Sequence, residues 1–394
     1  MLTPQLVEQV KQKVATILPE IREIRHRLHQ HPEIGMETTG TRQTVASALS
    51  GLPLRLWPPL LGADFIADLP GAASRTVCLR ADMDALPIEE DAGLPYRSLQ
   101  SGAMHACGHD GHTAILIGTA LTLAEFRDNL PVTVRFVFQP GEEIVCGGQV
   151  LVERGALAGV EAAFALHGWP GLPVGAIATR PGVILAAGSF FRIRLLGKGC
   201  HAAHPEKGLN PIPPAARLVQ QLQELHAEVH ARDGSVVSVS MLHAGDVSNA
   251  IPSEAALTGT ARFLELSAGE QIETRIREFV AHLERDTGVK AEIQFEAPYA
   301  LPVVNSPRST RLLQQIVQEH LPEFAWREIE KPSMGNEDFA FYLSGREGAM
   351  FMLGQGENSP GLHHSSFDFN DDTLRAGILT FALLALGYDS VPNP

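Results

Sequence analysis

Basic charge is scarce in this chain. Lys and Arg number 31 against 45 Asp and Glu, for a formal net charge of -14. A nucleic-acid or anionic-membrane partner demands a basic surface, so neither is expected. An anionic small substrate stays open, because local charge in a cleft can oppose the global sign. Long apolar runs are missing too. The longest, around 114–124 and 378–386, fall far short of a spanning helix. Residues 1–14 alternate polar and apolar, with no apolar h-region and no small-residue cleavage site, so no export signal is read. Cysteine is sparse and scattered at Cys78, Cys107, Cys146 and Cys200, which excludes a disulfide framework in a chain this long. A cytoplasmic protein is the expectation. No internal repeat or low-complexity segment is present.

What is there reads as soluble and globular: 44% hydrophobic and 19% charged residues. With 394 residues there is material for two large cores. Apolar residues at 7, 10, 14, 17 and 21 predict a helix over 6–31, with Pro19 expected to interrupt it. Strands are read at 75–81, 132–138 and 160–166, and a helix at 113–126. This alternation suggests an α/β layer architecture. The middle of the chain differs. Strand 189–196, helix 211–229, strands 235–242 and 255–263, helix 267–283 and strand 291–295 follow the order of the ferredoxin-like plan. The first pattern then resumes with helix 309–320, strand 349–353 and a last helix over 372–386. The reading is a catalytic α/β domain (1–186 and 299–394) interrupted by an inserted α+β domain (187–298) of roughly 110 residues.

Several polar residues share one position in this pattern. Asp82 and Asp84, Glu142 and Glu143, and His167 all follow the carboxyl end of a predicted strand. In open α/β sheets ligands bind at that edge. Cys107 and His109 stand at the mouth of the apolar helix. Two carboxylates, a thiol and an imidazole there are the ingredients of a metal site with its own base: one Glu can bind metal while its neighbour handles a proton. Each residue also has a plainer reading. Cys107 can be core packing, and Asp110 the N-cap of the following helix. Glu142 and Glu143 can be solvated acids after a Pro-Gly turn, and His167 a satisfied core histidine. One of His363 and His364, in a Gly/Ser/Pro-rich loop, is a candidate fifth ligand. His201 can be a turn histidine. His26, His29 and His31 read as polar positions near a helix end and are assigned no chemistry.

Taken together, the segments resemble the M20 metallopeptidase family, in its amidohydrolase branch of hippurate hydrolases, N-acyl-amino-acid amidohydrolases and auxin-conjugate hydrolases. The matching stretches are 25–35 (RHRLHQHPEIG), 80–87 (RADMDALP), 104–112 (MHACGHDGH), 138–143 (FQPGEE), 166–170 (LHGWP), 197–203 (GKGCHAA), 334–339 (MGNEDF) and 362–371 (LHHSSFDFND). They occur in family order and cover nearly the whole chain. The resemblance implies a phosphorylase/hydrolase-like α/β catalytic domain, a mixed sheet with helices on both faces, and an inserted ferredoxin-like dimerisation (lid) domain. It implies two divalent metal ions per subunit, held by Cys107, His109, Glu143, His167 and His363, and a homodimer or higher homo-oligomer. Glu142 would be the general base and Asp84 would orient one of the ligands from behind. His201 would reach a neighbouring subunit's site and polarise the scissile carbonyl. Asn249 and Arg262 match positions that contact substrate. The implied reaction is hydrolysis of the amide bond of N-acyl amino acids, by a metal-bridged hydroxide.

Three departures bear on substrate. Cys200 stands where the branch usually has Gly, Ile144-Val-Cys146 replaces a glycine run, and Ser365-Ser366 replaces a Pro-containing pair. The metals are expected to be manganese or zinc, with cobalt or nickel as alternatives, because the donor set mixes soft thiolate and imidazole with carboxylate. Three rival readings remain: a Cys107 nucleophile, a binding protein on a degenerate hydrolase scaffold, and a dipeptidase or carboxypeptidase of the same family.

Overall fold

A computed structural model describes residues 2–295 and 301–390. The chain divides into two compact units. The first comprises Met1–Ile184, Val304–Lys331 and Asp338–Pro394, and the second Leu185–Val303 with Pro332–Glu337. The boundary read at 298/299 lies outside the described residues. Pro332–Glu337, read as part of the first domain, belongs to the second unit. Ala186 N–H donates to the Ser333 and Gly335 carbonyls at 3.0 and 2.9 Å, and Asn336 Nδ2 donates to the Ala186 carbonyl at 3.0 Å. A short return of this kind carries no periodicity and leaves no trace in the sequence pattern.

The first unit opens with helix α1 (Pro4–Gln30), capped by Thr3, whose hydroxyl accepts the Leu6 N–H at 3.2 Å. Pro19 does not interrupt it. An interior proline costs about 3 kcal/mol. The helix buries Val7, Val10, Val14, Ile17, Ile21, Ile24 and Leu28 along one stripe, and each such side chain contributes about 1.5–3 kcal/mol. Burial therefore outweighs the proline, which faces solvent.

Strands β1 (Arg55–Leu56), β2 (Phe65–Leu69), β3 (Ala73–Asp82), β4 (Val132–Gln139), β5 (Val160–Trp169) and β6 (Ile177–Thr179) follow, with helix α2 (His109–Glu125) between β3 and β4. The second unit then supplies β7 (Ala187–Leu196), α3 (Ile212–Asp233), β8 (Val236–His243), β9 (Glu254–Phe263), α4 (Leu266–Thr287) and β10 (Lys290–Phe295). The chain returns through α5 (Pro307–His320), β11 (Trp326–Glu328), β12 (Glu347–Gly354) and α6 (Leu374–Leu386).

In the first unit the order is β1-β2-β4-β3-β5-β12-β6-β11, a mixed eight-stranded sheet. β4, β3, β5 and β12 run parallel, so their carboxyl ends share one edge. Asp82 pairs with Gln139 there, and His167 with Met352. Runs of buried residues along β3, β4, β5 and β12 show that both faces are covered. α2 and α6 are buried all round, and they meet through paired glycines. A Cβ on Gly118 would lie 2.6 Å from Ile378 Cδ1, and one on Gly377 2.6 Å from Ile115 Cδ1. Among the described residues no helix is long and apolar enough to cross a membrane.

The second unit is a four-stranded antiparallel sheet, β8-β9-β7-β10, built from a β-α-β-β-α-β order. This is the ferredoxin-like plan. Along β9, Ala255, Leu257, Gly259, Ala261 and Phe263 are buried and alternate with half-buried neighbours. The unit has its own core, with Leu218, Leu222 and Leu225 of α3 and Ile272, Ile276 and Val280 of α4.

Candidate metal centre

The sheet edge delivers the first residues. β3 ends at Asp82, and Asp84 follows. α2 starts at His109, earlier than its apolar run suggests, so His109, Asp110 and His112 occupy its first turn. The chain enters through Gly108 at φ 87°, a left-handed conformation that favours glycine. Asp110 is not the N-cap. Its carboxylate instead accepts from Arg25 Nε at 2.9 Å and His29 Nδ1 at 2.8 Å. His29 is therefore fully buried in a polar network, not a plain polar position near a helix end. Phe369 packs under the turn, where a Cβ on Gly111 would lie 2.4 Å from its ring.

Beyond β4 the chain forms a short helix, Glu142–Val145. Its amino end is tied down by Asp84, whose two oxygens accept the Glu142 and Glu143 N–H groups at 2.9 and 3.1 Å. Ile144, one of the noted departures, lies outside the described side chains. His167 sits inside β5 rather than after it. His363 is held in the left-handed region at φ 62°, and its N–H donates to the Ala106 carbonyl at 2.8 Å. His364 turns elsewhere and accepts the Ser366 N–H through Nδ1 at 3.1 Å.

These segments bring five of the residues together. Cys107, His109 and His167 form one group of converging donor atoms, and Cys107, Glu143 and His363 a second. Within each group the atoms lie within 4.8 Å of one another. His109 also groups with Glu142 and Glu143. Cys107 Sγ is 3.4 Å from His167 Nε2, and His363 Nε2 is 3.2 Å from Glu143 Oε1. The ring orientations are set from behind. His109 Nδ1 donates to the Asp84 carbonyl and His167 Nδ1 to the Gly168 carbonyl, each at 2.8 Å. Both rings thus present an unprotonated Nε2 to the cluster when neutral.

A cation fits this donor set. His109 Nε2 and Glu143 Oε1 are buried, yet make no well-formed hydrogen bond among the described residues. Burial, then Glu143, Glu142 and Asp82, push the Cys107 thiol well above its ordinary range. Burial opposes charge on His109 also, but Asp82, Asp84 and Glu143 raise it to about 10. Three carboxylates and a thiol crowd a buried space. A divalent ion would reverse that field and stabilise the thiolate.

Behind the cluster lies a network that sequence reasoning did not assemble. Arg80 is fully buried and donates to Asp82 at 2.7 Å, Asp338 at 2.8 Å and Gln139 at 3.0 Å. Asp82 in turn accepts from His112 Nδ1 at 2.7 Å. Burial pushes Asp82 up, but His109, Arg80 and His112 hold it well below the usual carboxylate range. An arginine in an apolar strand was a signal, because a buried cation requires acidic partners. Which acids answer it is not a local property.

His201, Asn249 and Arg262 belong to the second unit. His201 lies on a two-stranded ribbon, Cys200–His201 against Ala250–Ile251, and the Asn249 carbonyl accepts the Ala202 N–H at 2.9 Å. His201 is exposed, and its Nδ1 accepts the Ala203 N–H at 3.1 Å, which leaves Nε2–H as an outward donor. Arg262 lies on β9, with its guanidinium 5.6 Å from the Phe190 ring centroid. Burial lowers its pKa, and among the described residues it has no ion-pair partner.

Known proteins share both sequence and fold with this chain. Residues 78–387 match the family described as peptidase family M20/M25/M40. N-acetylcysteine deacetylase of Bacillus subtilis is 33% identical over 367 residues, covering 92% of this chain and 95% of that protein. Thermostable carboxypeptidase 1 of Saccharolobus solfataricus is 32% identical over 397 residues, covering 98% and 99%. Among solved structures, a Bacillus subtilis protein described as a dinuclear metal binding peptidase from the M20 family superimposes with a TM-score of 0.83. It is 31% identical, with 96% of this chain and 100% of that one covered.

Proposed function

Because the chain belongs to peptidase family M20/M25/M40, we propose that it hydrolyses the amide bond of N-acyl amino acids, releasing a carboxylic acid and a free amino acid. The observation that carries this reading is the paired donor set sharing Cys107, with Glu142 beside it. Cys107, His109, Glu143, His167 and His363 would hold two divalent ions, manganese or zinc by donor chemistry, with cobalt or nickel as alternatives. When bound, such a pair supplies Lewis acidity, lowering the pKa of a water from about 15.7 toward 7 and polarising the amide carbonyl.

The chain's own residues do the rest. Glu142 takes a proton from the attacking water and delivers it to the leaving nitrogen. Asp84 fixes the backbone of both glutamates and the ring of His109, so base and ligands move as one body. His201 offers Nε2–H to the developing oxyanion, and Asn249 and Arg262 hold the substrate, Arg262 pairing with its free carboxylate. The second unit serves as the dimerisation and lid domain, with His201 acting in a neighbouring subunit's site. Mixing His201→Ala subunits with Glu142→Gln subunits tests this: recovered activity supports a shared site, and none argues against it. The setting is the cytoplasm.

The N-acyl reading draws support from the deacetylase relative. A peptidase reading, dipeptidase or carboxypeptidase, is favoured by the relative named a carboxypeptidase. A Cys107 nucleophile is disfavoured, because burial and the neighbouring acids raise its thiol where activation needs it lowered. The deciding experiment assays N-acyl amino acids and dipeptides with apo protein reloaded with single metals. Turnover of N-acyl amino acids that depends on added metal is expected. Preference for dipeptides would move the assignment to the second reading, and activity surviving chelation would sink both.

A further inference from the structure

His112 is a third imidazole beside the cluster, grouped with Asp82 and His109 by the proximity of their donor atoms. Its geometry rules it out as a ligand. Nδ1 lies 2.7 Å from Asp82 Oδ1, and Nε2 lies 2.8 Å from the backbone nitrogen of Gly168. A peptide N–H can only donate, so Nε2 must be the unprotonated acceptor and Nδ1–H the donor to Asp82. Both ring nitrogens are spoken for.

The position of Gly168 makes this consequential. Its N–H is held by His112, and its carbonyl accepts His167 Nδ1 at 2.8 Å. There is little room for it to shift, since a Cβ there would lie 3.0 Å from Phe369 and 3.2 Å from Gln355 Nε2. Asp82 is itself anchored, with Oδ2 2.7 Å from Arg80 Nη1. A continuous chain of hydrogen bonds therefore runs from Arg80 through Asp82, His112 and Gly168 to His167, whose Nε2 faces Cys107. We propose that His112 is a positioning residue that sets the ring of His167 by clamping Gly168. The inference rests on His167 being a metal ligand.

Two substitutions separate the two ends of the ring. Asn places its amide nitrogen near the position of Nδ1 and keeps the donor to Asp82 while losing Gly168. Gln reaches the position of Nε2 with its carbonyl oxygen and keeps the acceptor for Gly168 while losing Asp82. Full-length apo protein is titrated with Co2+ against a chelating dye, and the thiolate-to-cobalt absorption of Cys107 is recorded. His112→Asn should weaken one of two Co2+ sites by about 10–100-fold and shift that band. His112→Gln should stay close to wild type. Equal behaviour of the two variants, or loss of thermal stability with unchanged Co2+ affinity, would overturn the proposal. Should the Asn variant fail to fold, imidazole NMR of isotope-labelled wild-type apo protein decides. The ring whose signals vanish in His112→Gln must carry its proton on Nδ1, and a proton on Nε2 overturns the clamp. His167→Ala is the control. If it binds both ions as wild type does, the ligand reading fails. If it loses one ion while His112→Asn loses none, only the present inference fails.

Discussion

Adjacent glutamates after β4 differ in their partners. Glu143 points a buried oxygen at His363, and its carboxyl is pushed up by burial but brought below its ordinary range by His363 and His109. Glu142→Gln should keep both ions yet lose about 10²–10⁴ in kcat, whereas Glu143→Ala should lose metal; elemental analysis beside turnover separates the two. If the Gln variant retains substantial turnover, Glu142 is not the base. His29 carries a pH prediction. Burial opposes its charge, but Asp110 and Glu90 outweigh this and raise it from 6.5 to about 9. A raised histidine stabilises the fold fully below its unfolded value, and the contribution fades as pH rises through the folded one. The unfolding free energy should therefore fall between pH 6.5 and 9 in wild type. The drop should shrink in His29→Gln, as measured by denaturant titration at each pH. Identical profiles would remove His29 as the cause. Nothing near His29 in sequence reveals this role, since Asp110 lies 81 residues away.

Elements show where packing overrides propensity. The apolar spacing of α1 is legible in the sequence, and the proline within it reads as a break. The structure keeps the helix whole because its buried stripe continues on both sides of Pro19. Pro19→Ala should restore a backbone hydrogen bond and raise stability by up to about 3 kcal/mol, less the gain in unfolded-chain entropy. A calorimetric melting temperature that does not rise would show that the helix has already absorbed the defect. The start of α2 carries the opposite lesson. Its first turn holds His109, Asp110 and His112 because they bond to Asp84, Arg25, His29 and Asp82 rather than to helix caps. Polar residues in that turn look like a loop by composition, and only their distant partners make them helix.

At the scale of the whole molecule, two cores are held by different means. The first unit gathers acids, imidazoles and a thiol at a buried sheet edge, where a bound cation would offset their mutual cost. Ligand binding stabilises by RT ln(1 + [L]/Kd), about 4 kcal/mol at a thousandfold excess over Kd. Chelation should therefore lower the melting transition of the first unit. The second unit has its own apolar core and contains none of the five cluster residues. Its transition should stay where it was in differential scanning calorimetry. A shift of both transitions together would mean that the units unfold as one cooperative body.

Much of the plan was readable from the chain alone. Periodicity of two and of 3.6 marked the strands and helices, their order marked the inserted ferredoxin-like unit, and strand ends marked Asp82, Asp84 and the glutamate pair. Each of these is a local property, carried by neighbours a few residues apart. Tertiary structure alone decided which polar groups meet. It set Glu143 beside His363, joined Arg25 to Asp110, and seated His112 between Asp82 and Gly168. Those contacts join segments remote in sequence, and a buried polar group is stable only beside a partner that packing of the whole sheet and its helices brings to it.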